Sequence, residues 1–152
     1  MHRLVLGGKI WNKRAEEMNK ELKTDGRKFT FLCGHDSNIA SVLAALDVEE
    51  YELPNSIEKK TPIGSKLVIE KFAGKDGKEY AAFSLVYQTT EQLRDRTALT
   101  LDNPPEIFPL HLKGLQQNAD GLYLFKDVQQ RFQQAIDAYD KLPQDKAGQQ
   151  AA

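Results

Sequence analysis

With a single cysteine, Cys33, among its 152 residues, the chain cannot form an intramolecular disulfide. No run of about 18 apolar residues occurs, so no segment reads as a transmembrane helix. The N-terminus lacks the charged-then-apolar order of a signal peptide. Neither sign of charge dominates: 21 basic residues stand against 22 acidic ones, for a net charge of −1. That balance leaves no electrostatic footprint for nucleic acid or an anionic membrane, and both are excluded as partners. Histidine is scarce at three residues, and there is no internal repeat. With 40% hydrophobic residues, the composition fits one globular domain or a piece of one, long enough to bury a core.

The elements alternate. Trp11, Ala15, Met18 and Leu22 fall on one helical face, so an amphipathic helix is expected over residues 10–23, ended by the Asp25-Gly26 turn and with Trp11 in the core. Phe29-Thr30-Phe31-Leu32-Cys33 is of strand type, with Cys33 expected as a small buried hydrophobe. Ile39, Val42, Leu43 and Leu46 then recur at helical spacing. Residues 51–60, with Pro54-Asn55 and many charges, read as a loop bordering a pocket mouth. Leu67 to Phe72 and Glu79 to Tyr87 read as an antiparallel hairpin around Gly74-Lys75-Asp76-Gly77, with Ala81, Phe83, Leu85 and Tyr87 on one face.

Thr89 and Gln92 have capping-box spacing and start a short helical turn before Arg94. Asn103-Pro104-Pro105 forbids regular structure. The alternation of Phe108, Leu110 and Leu112 predicts one further strand, at an edge because Pro109 cannot donate to a ladder, with His111 facing solvent. Val128, Phe132, Ile136 and Tyr139 mark a final amphipathic helix, and residues 143–152 read as a polar, low-complexity tail. The organisation is thus one α/β domain over residues 1–142 followed by a tail over 143–152, with a mixed sheet and flanking helices.

The chemistry concentrates in Gly34-His35-Asp36-Ser37-Asn38-Ile39, where a strand ends and a helix begins. A helix N-terminus leaves backbone N–H groups unpaired at the positive end of the helix dipole, which stabilises an anion. His35 and Asp36 stand at that spot. Ser37 and Asn38 are capping residue types. Arg94 and Arg96 are cations that reach a phosphate only if they leave their charged, solvated turn. A metal-dependent phosphohydrolase also uses a His-Asp pair, but it builds its site on helices and needs further ligands, and here the only other histidines are His2 and His111. No metal and no cofactor is expected.

The stretch Gly34-His35-Asp36-Ser37-Asn38 resembles the second signature of the histidine acid phosphatases, the group of periplasmic glucose-1-phosphatases and phytases. Thr61-Pro62-Ile63-Gly64-Ser65-Lys66-Leu67-Val68 resembles the Thr-Pro-x-Gly segment that follows it. The run Val86 to Arg94, with Leu99-Thr100-Leu101, is similar to the glucose-1-phosphatase version. The likeness covers roughly residues 29–135, in order, and is specific as a set.

The resemblance implies a histidine-phosphatase-like fold and hydrolysis of phosphomonoesters, such as sugar phosphates, at acid pH through a phosphohistidine. It makes His35 a phosphate-binding residue and Asp36 the proton donor to the leaving oxygen. A carboxylic acid donates only while it keeps its proton, which suits acid pH. The family's nucleophile motif, Arg-His-Gly-x-Arg, does not occur; the only adjacent Arg and His are His2-Arg3, in reverse order. The chain is therefore expected to be the C-terminal part of a longer periplasmic enzyme, inactive alone, with the missing N-terminal part as its partner and self-association as a consequence. Met1 would be an artificially introduced start or an internal one. The alternative is a non-catalytic binding or interaction module derived from the fold. An Arg-His-Gly motif encoded upstream of Met1 supports the enzyme, and a natural start codon with none supports the module.

Overall fold

The computed structural model describes residues 2–6 and 14–141. The element order is β1 (His2–Leu6), α1 (Arg14–Lys23), β2 (Phe29–Leu32), α2 (Asp36–Ala45), β3 (Lys66–Ala73), β4 (Glu79–Tyr87), α3 (Thr90–Arg94), β5 (Glu106–Pro109), β6 (Tyr123–Leu124) and α4 (Phe125–Asp140). The sheet runs β2-β1-β3-β4-β5, with β6 also pairing β4. It is mixed: β1 and β2 are parallel, and the other pairs are antiparallel. An α/β fold with a mixed sheet and flanking helices is what the sequence pattern predicted.

The hairpin arises where expected. Its strands pair from Lys66↔Val86 to Ala73↔Glu79. The Asp76 carboxylate fixes the turn, taking the N–H of Lys78 at 3.1 Å and the hydroxyl of Tyr80 at 2.7 Å. Ala81, Phe83, Leu85 and Tyr87 are buried in alternation. With Leu67 and Ile69 they form the floor of the core, which Met18 and Leu22 of α1, Ile39, Val42 and Leu43 of α2, and Val128 and Phe132 of α4 cover. Burying side chains of this kind contributes about 1.5–3 kcal/mol each before the entropic cost of ordering them.

Register assigns the other face. Leu32 aligns through Leu6 with Leu67 of the core face, and Phe31 aligns through Val5 with Val68 of the opposite one. Phe29 and Phe31, on edge strand β2, are 58% and 51% exposed, and Ile107 on β5 is also exposed.

Two local readings change, and one strand falls where the sequence reading placed no element. His2–Leu6 is a strand because β2 and β3 pair with it on both sides. Cys33 is exposed, not buried, because it follows the last residue of an edge strand. The strand expected over 108–112 ends at Pro109; beyond it Leu110 still donates to the Phe83 carbonyl at 2.9 Å, but Leu112 bridges Val48. Its edge position holds. Within the helix expected over 10–23, Arg14–Lys23 is helical; Trp11 and the tail over 143–152 lie outside the described residues.

α4 also anchors α2. Arg131 of α4 donates to the carbonyl of Leu46, the C-cap of α2, and to that of Lys113, each at 2.8 Å. A guanidinium suits this bridge because it offers several donors in a fixed plane.

Candidate active site

The His-Asp pair is placed by a strand-turn-helix junction. β2 ends at Leu32, Cys33 and Gly34 turn the chain, and His35 is the N-cap of α2 with extended backbone (φ −89°, ψ 171°). The Asn38 side-chain oxygen accepts the His35 N–H at 2.7 Å, and the His35 carbonyl accepts the N–H groups of Asn38 at 3.0 Å and Ile39 at 3.2 Å. Asp36, the first helical residue, takes the N–H of Ser37 on Oδ1 at 2.7 Å. Asn38 is thus a capping residue, as its type suggested. The His35 and Asp36 side chains are exposed, so the junction presents them to solvent while its backbone is tied down.

Both side chains line a cleft of about 520 Å³ that also includes Phe31, Cys33, Glu58 and the segment Pro62–Lys66. That segment is a tight turn: the Pro62 carbonyl accepts the Ser65 N–H at 2.9 Å, and Gly64 has φ +74°, a conformation that favours glycine. Glu58 holds the turn through the Ile63 N–H at 3.1 Å, so the loop expected at the pocket mouth is there. The Lys66 ammonium rests on the Gly64 carbonyl at 2.7 Å. Sequence motifs alone did not bring the Thr61–Lys66 segment to face His35; pairing of β3 beside β1 does.

Charge in the cleft is nearly balanced. Lys66 and the positive end of α2 stand against Asp36 and Glu58 among the described residues. A phosphate dianion needs further cations to be held there. Arg94 is not one of them: it lines a separate cleft of about 1010 Å³ with Asn55, Thr89 and Asn103. That second cleft is organised by the capping box, in which Thr89 Oγ1 accepts the Gln92 N–H and Gln92 Oε1 accepts the Thr89 N–H, each at 3.1 Å. Arg96 is exposed, and His111 is exposed with its Nδ1 3.2 Å from Gln117 Oε1.

Comparison with known proteins gives this arrangement its context. The profile of the histidine phosphatase superfamily (branch 2) matches residues 2–94. A glucose-1-phosphatase of Providencia rettgeri is 40% identical over 116 residues, which are 76% of this chain and 28% of that protein. Phytase AppA of Escherichia coli is 38% identical over 94 residues, 60% of this chain and 21% of that protein. The apo phytase of Hafnia alvei superposes with a TM-score of 0.75 at 27% identity, covering 86% of this chain and 34% of that one. The chain belongs to the histidine phosphatase superfamily, branch 2, as the motifs around His35 and Thr61 implied. It spans about a quarter of the length of the relatives whose sequences it matches.

Proposed function

We propose that this chain supplies the His-Asp half of a phosphomonoester hydrolase active site, and that the attacking histidine and the arginines that hold the phosphoryl group lie in sequence outside it, on its N-terminal side. The observation that carries this reading is the placement of His35 and Asp36 side by side at the N-terminus of α2, in a cleft walled by the Pro62–Lys66 turn. In the reaction a histidine nitrogen bonds to phosphorus while the ester P–O bond breaks, and the electron pair leaves on the alcohol oxygen. Asp36 gives that oxygen its proton. His35 donates to a phosphoryl oxygen, and water then cleaves the phosphohistidine, releasing phosphate.

Residues 1–142 form the contributed domain part, and 143–152 a tail. Sugar phosphates are the favoured substrate class, since the Gly34–Ser41 run resembles that of the glucose-1-phosphatases. Residence in the periplasm follows from the same likeness. The remainder of the enzyme is the partner that covers the Phe29 and Phe31 face.

The test is the leaving-group dependence of Asp36→Asn in an enzyme containing this chain. General acid assistance is worth about 10² to 10⁴ in rate. The variant should lose most of its kcat/KM on a sugar phosphate and little on p-nitrophenyl phosphate, whose phenolate departs without help. Equal slowing on both would leave Asp36 as an orienting residue, because contacts to the phosphoryl group are common to the two substrates.

A further inference from the structure

We propose that Ser65 is a substrate-binding residue of the His35–Asp36 cleft, its hydroxyl donating to a phosphoryl oxygen. This inference rests on the phosphomonoester reading above and adds a contact to it from the opposite wall. Ser65 is 6% exposed, and its Oγ is a buried polar atom with no hydrogen-bond partner among the described residues. Leaving a buried hydroxyl unpaired is destabilising, and folded proteins seldom keep one without a use. The only other described side-chain atom in this condition is Asn19 Oδ1, on α1, which lines neither cleft. Ser65 lines the cleft that holds His35 and Asp36.

The surroundings fix where that hydroxyl acts. The Ser65 backbone is held by its bond to Pro62 at the end of the Gly64 turn, immediately before β3 begins at Lys66. The freedoms left to the side chain are rotation about χ1 and of the hydroxyl hydrogen, and it is through these that the hydroxyl would turn toward a bound anion. Lys66, the next residue, keeps its ammonium on the same turn at the Gly64 carbonyl, so the wall carries positive charge beside the donor. The N-terminus of α2 meets the anion from the other side. Glu58 also lines the cleft, with its Oε2 occupied by the Ile63 N–H at 3.1 Å. A tetrahedral oxyanion between these walls takes the Ser65 hydroxyl as a neutral donor, which adds no net charge to a cleft already close to balanced.

Inorganic phosphate is the probe. It is titrated, at constant ionic strength, into the ¹⁵N-labelled chain joined to a segment bearing an Arg-His-Gly-x-Arg motif, which supplies the remaining cations, with amide shifts read at Gly34–Asp36 and at Ser65–Lys66 and with thermal unfolding recorded for each variant. Ser65→Ala is expected to weaken phosphate binding about tenfold or more, the order of one hydrogen bond to a charged acceptor. Its unfolding midpoint should stay the same or rise, because an unpaired buried polar atom has been removed. Ser65→Thr, which keeps the hydroxyl, should restore affinity. Phosphate affinity unchanged in Ser65→Ala but lost in His35→Ala overturns the role of Ser65 and leaves the cleft standing. A lower midpoint with unchanged affinity also overturns it, since the hydroxyl is then structural. Absence of any phosphate response at either wall, or indifference to both substitutions, overturns the inference together with the reading it rests on.

Discussion

The side-chain oxygen of Asn38 accepts the backbone N–H of His35 at 2.7 Å, so the residue that presents its imidazole to the cleft is held by the first turn of the helix it begins. Capping contacts of this type are worth about 1 kcal/mol. Asn38→Ala should lower stability by that order, and Asn38→Asp, which keeps the acceptor, should not. Chemical denaturation of the two variants beside the parent chain checks the difference, and equal stability of all three would show that the His35 N–H has another partner in solution.

Arg131 should behave as a brace between α4 and α2. Arg131→Ala leaves the carbonyls of Leu46 and Lys113 without their cationic donor, a loss of about 1.5–3 kcal/mol for hydrogen bonds to a charged group. Arg131→Lys should recover only part of it, because an ammonium lacks the planar fork that reaches both. Urea unfolding midpoints at unchanged slope are the measurement.

Tyr123 tests the joint between the last loop and the core. Its hydroxyl accepts the Leu112 N–H at 2.8 Å in a buried setting, and its ring meets Phe83 edge-on with centroids 6.2 Å apart. Tyr123→Phe keeps the ring contact but orphans that N–H, so a loss of about 1–3 kcal/mol is expected. Burial pushes the Tyr123 phenol up from its ordinary range. Its stabilising effect is complete below the unfolded tyrosine pKa and is lost as pH rises through the higher folded one.

Asp76 gives a pH dependence of opposite sign. The Tyr80 hydroxyl, and then the Lys78 N–H, hold its carboxyl below the ordinary range. The stability this adds to the β3–β4 turn is present above the unfolded carboxylate pKa and fades as pH falls through the lower folded one. Amide protection across the Gly74–Gly77 turn, taken relative to the intrinsic exchange rate at each pH, should therefore fall in acid. In Asp76→Ala that pH response should be absent; its persistence would place the titrating group elsewhere.

How much of this was legible in the sequence depends on the range of the forces involved. The β3–β4 hairpin and the Thr89–Gln92 cap are local: period-two alternation, a Gly-bounded turn and a three-residue capping interval each name their own structure. The His35–Asp36 junction was legible for the same reason, as a strand, a glycine and a helical period in succession. β1 was not, because five residues at a chain end become a strand only through partners at β2 and β3. Exposure of Cys33 depends on β2 being an edge, and the unpaired hydroxyl of Ser65 on the packing around a turn some thirty residues further along. Those are tertiary facts with no local signature.

The face that carries Phe29 and Phe31 predicts assembly of the chain when it is alone. Exposed aromatic residues on an edge strand invite pairing with a second copy. Sedimentation should show self-association that grows with concentration and declines in Phe31→Ser. A clean monomer at high concentration with cooperative unfolding would mean that no further segment is needed to cover this face.

The central claim is that the His35–Asp36 cleft is one half of a phosphatase site whose attacking nitrogen lies outside these 152 residues. Turnover of p-nitrophenyl phosphate by the purified chain, from acid to neutral pH, tests it most directly. The expected result is no turnover by the chain alone, and turnover that appears when the segment bearing an Arg-His-Gly-x-Arg motif is joined to it and is lost again in His35→Ala. A rate that survives purification of the chain alone and vanishes in His35→Ala would contradict the claim and place the nucleophile within this sequence.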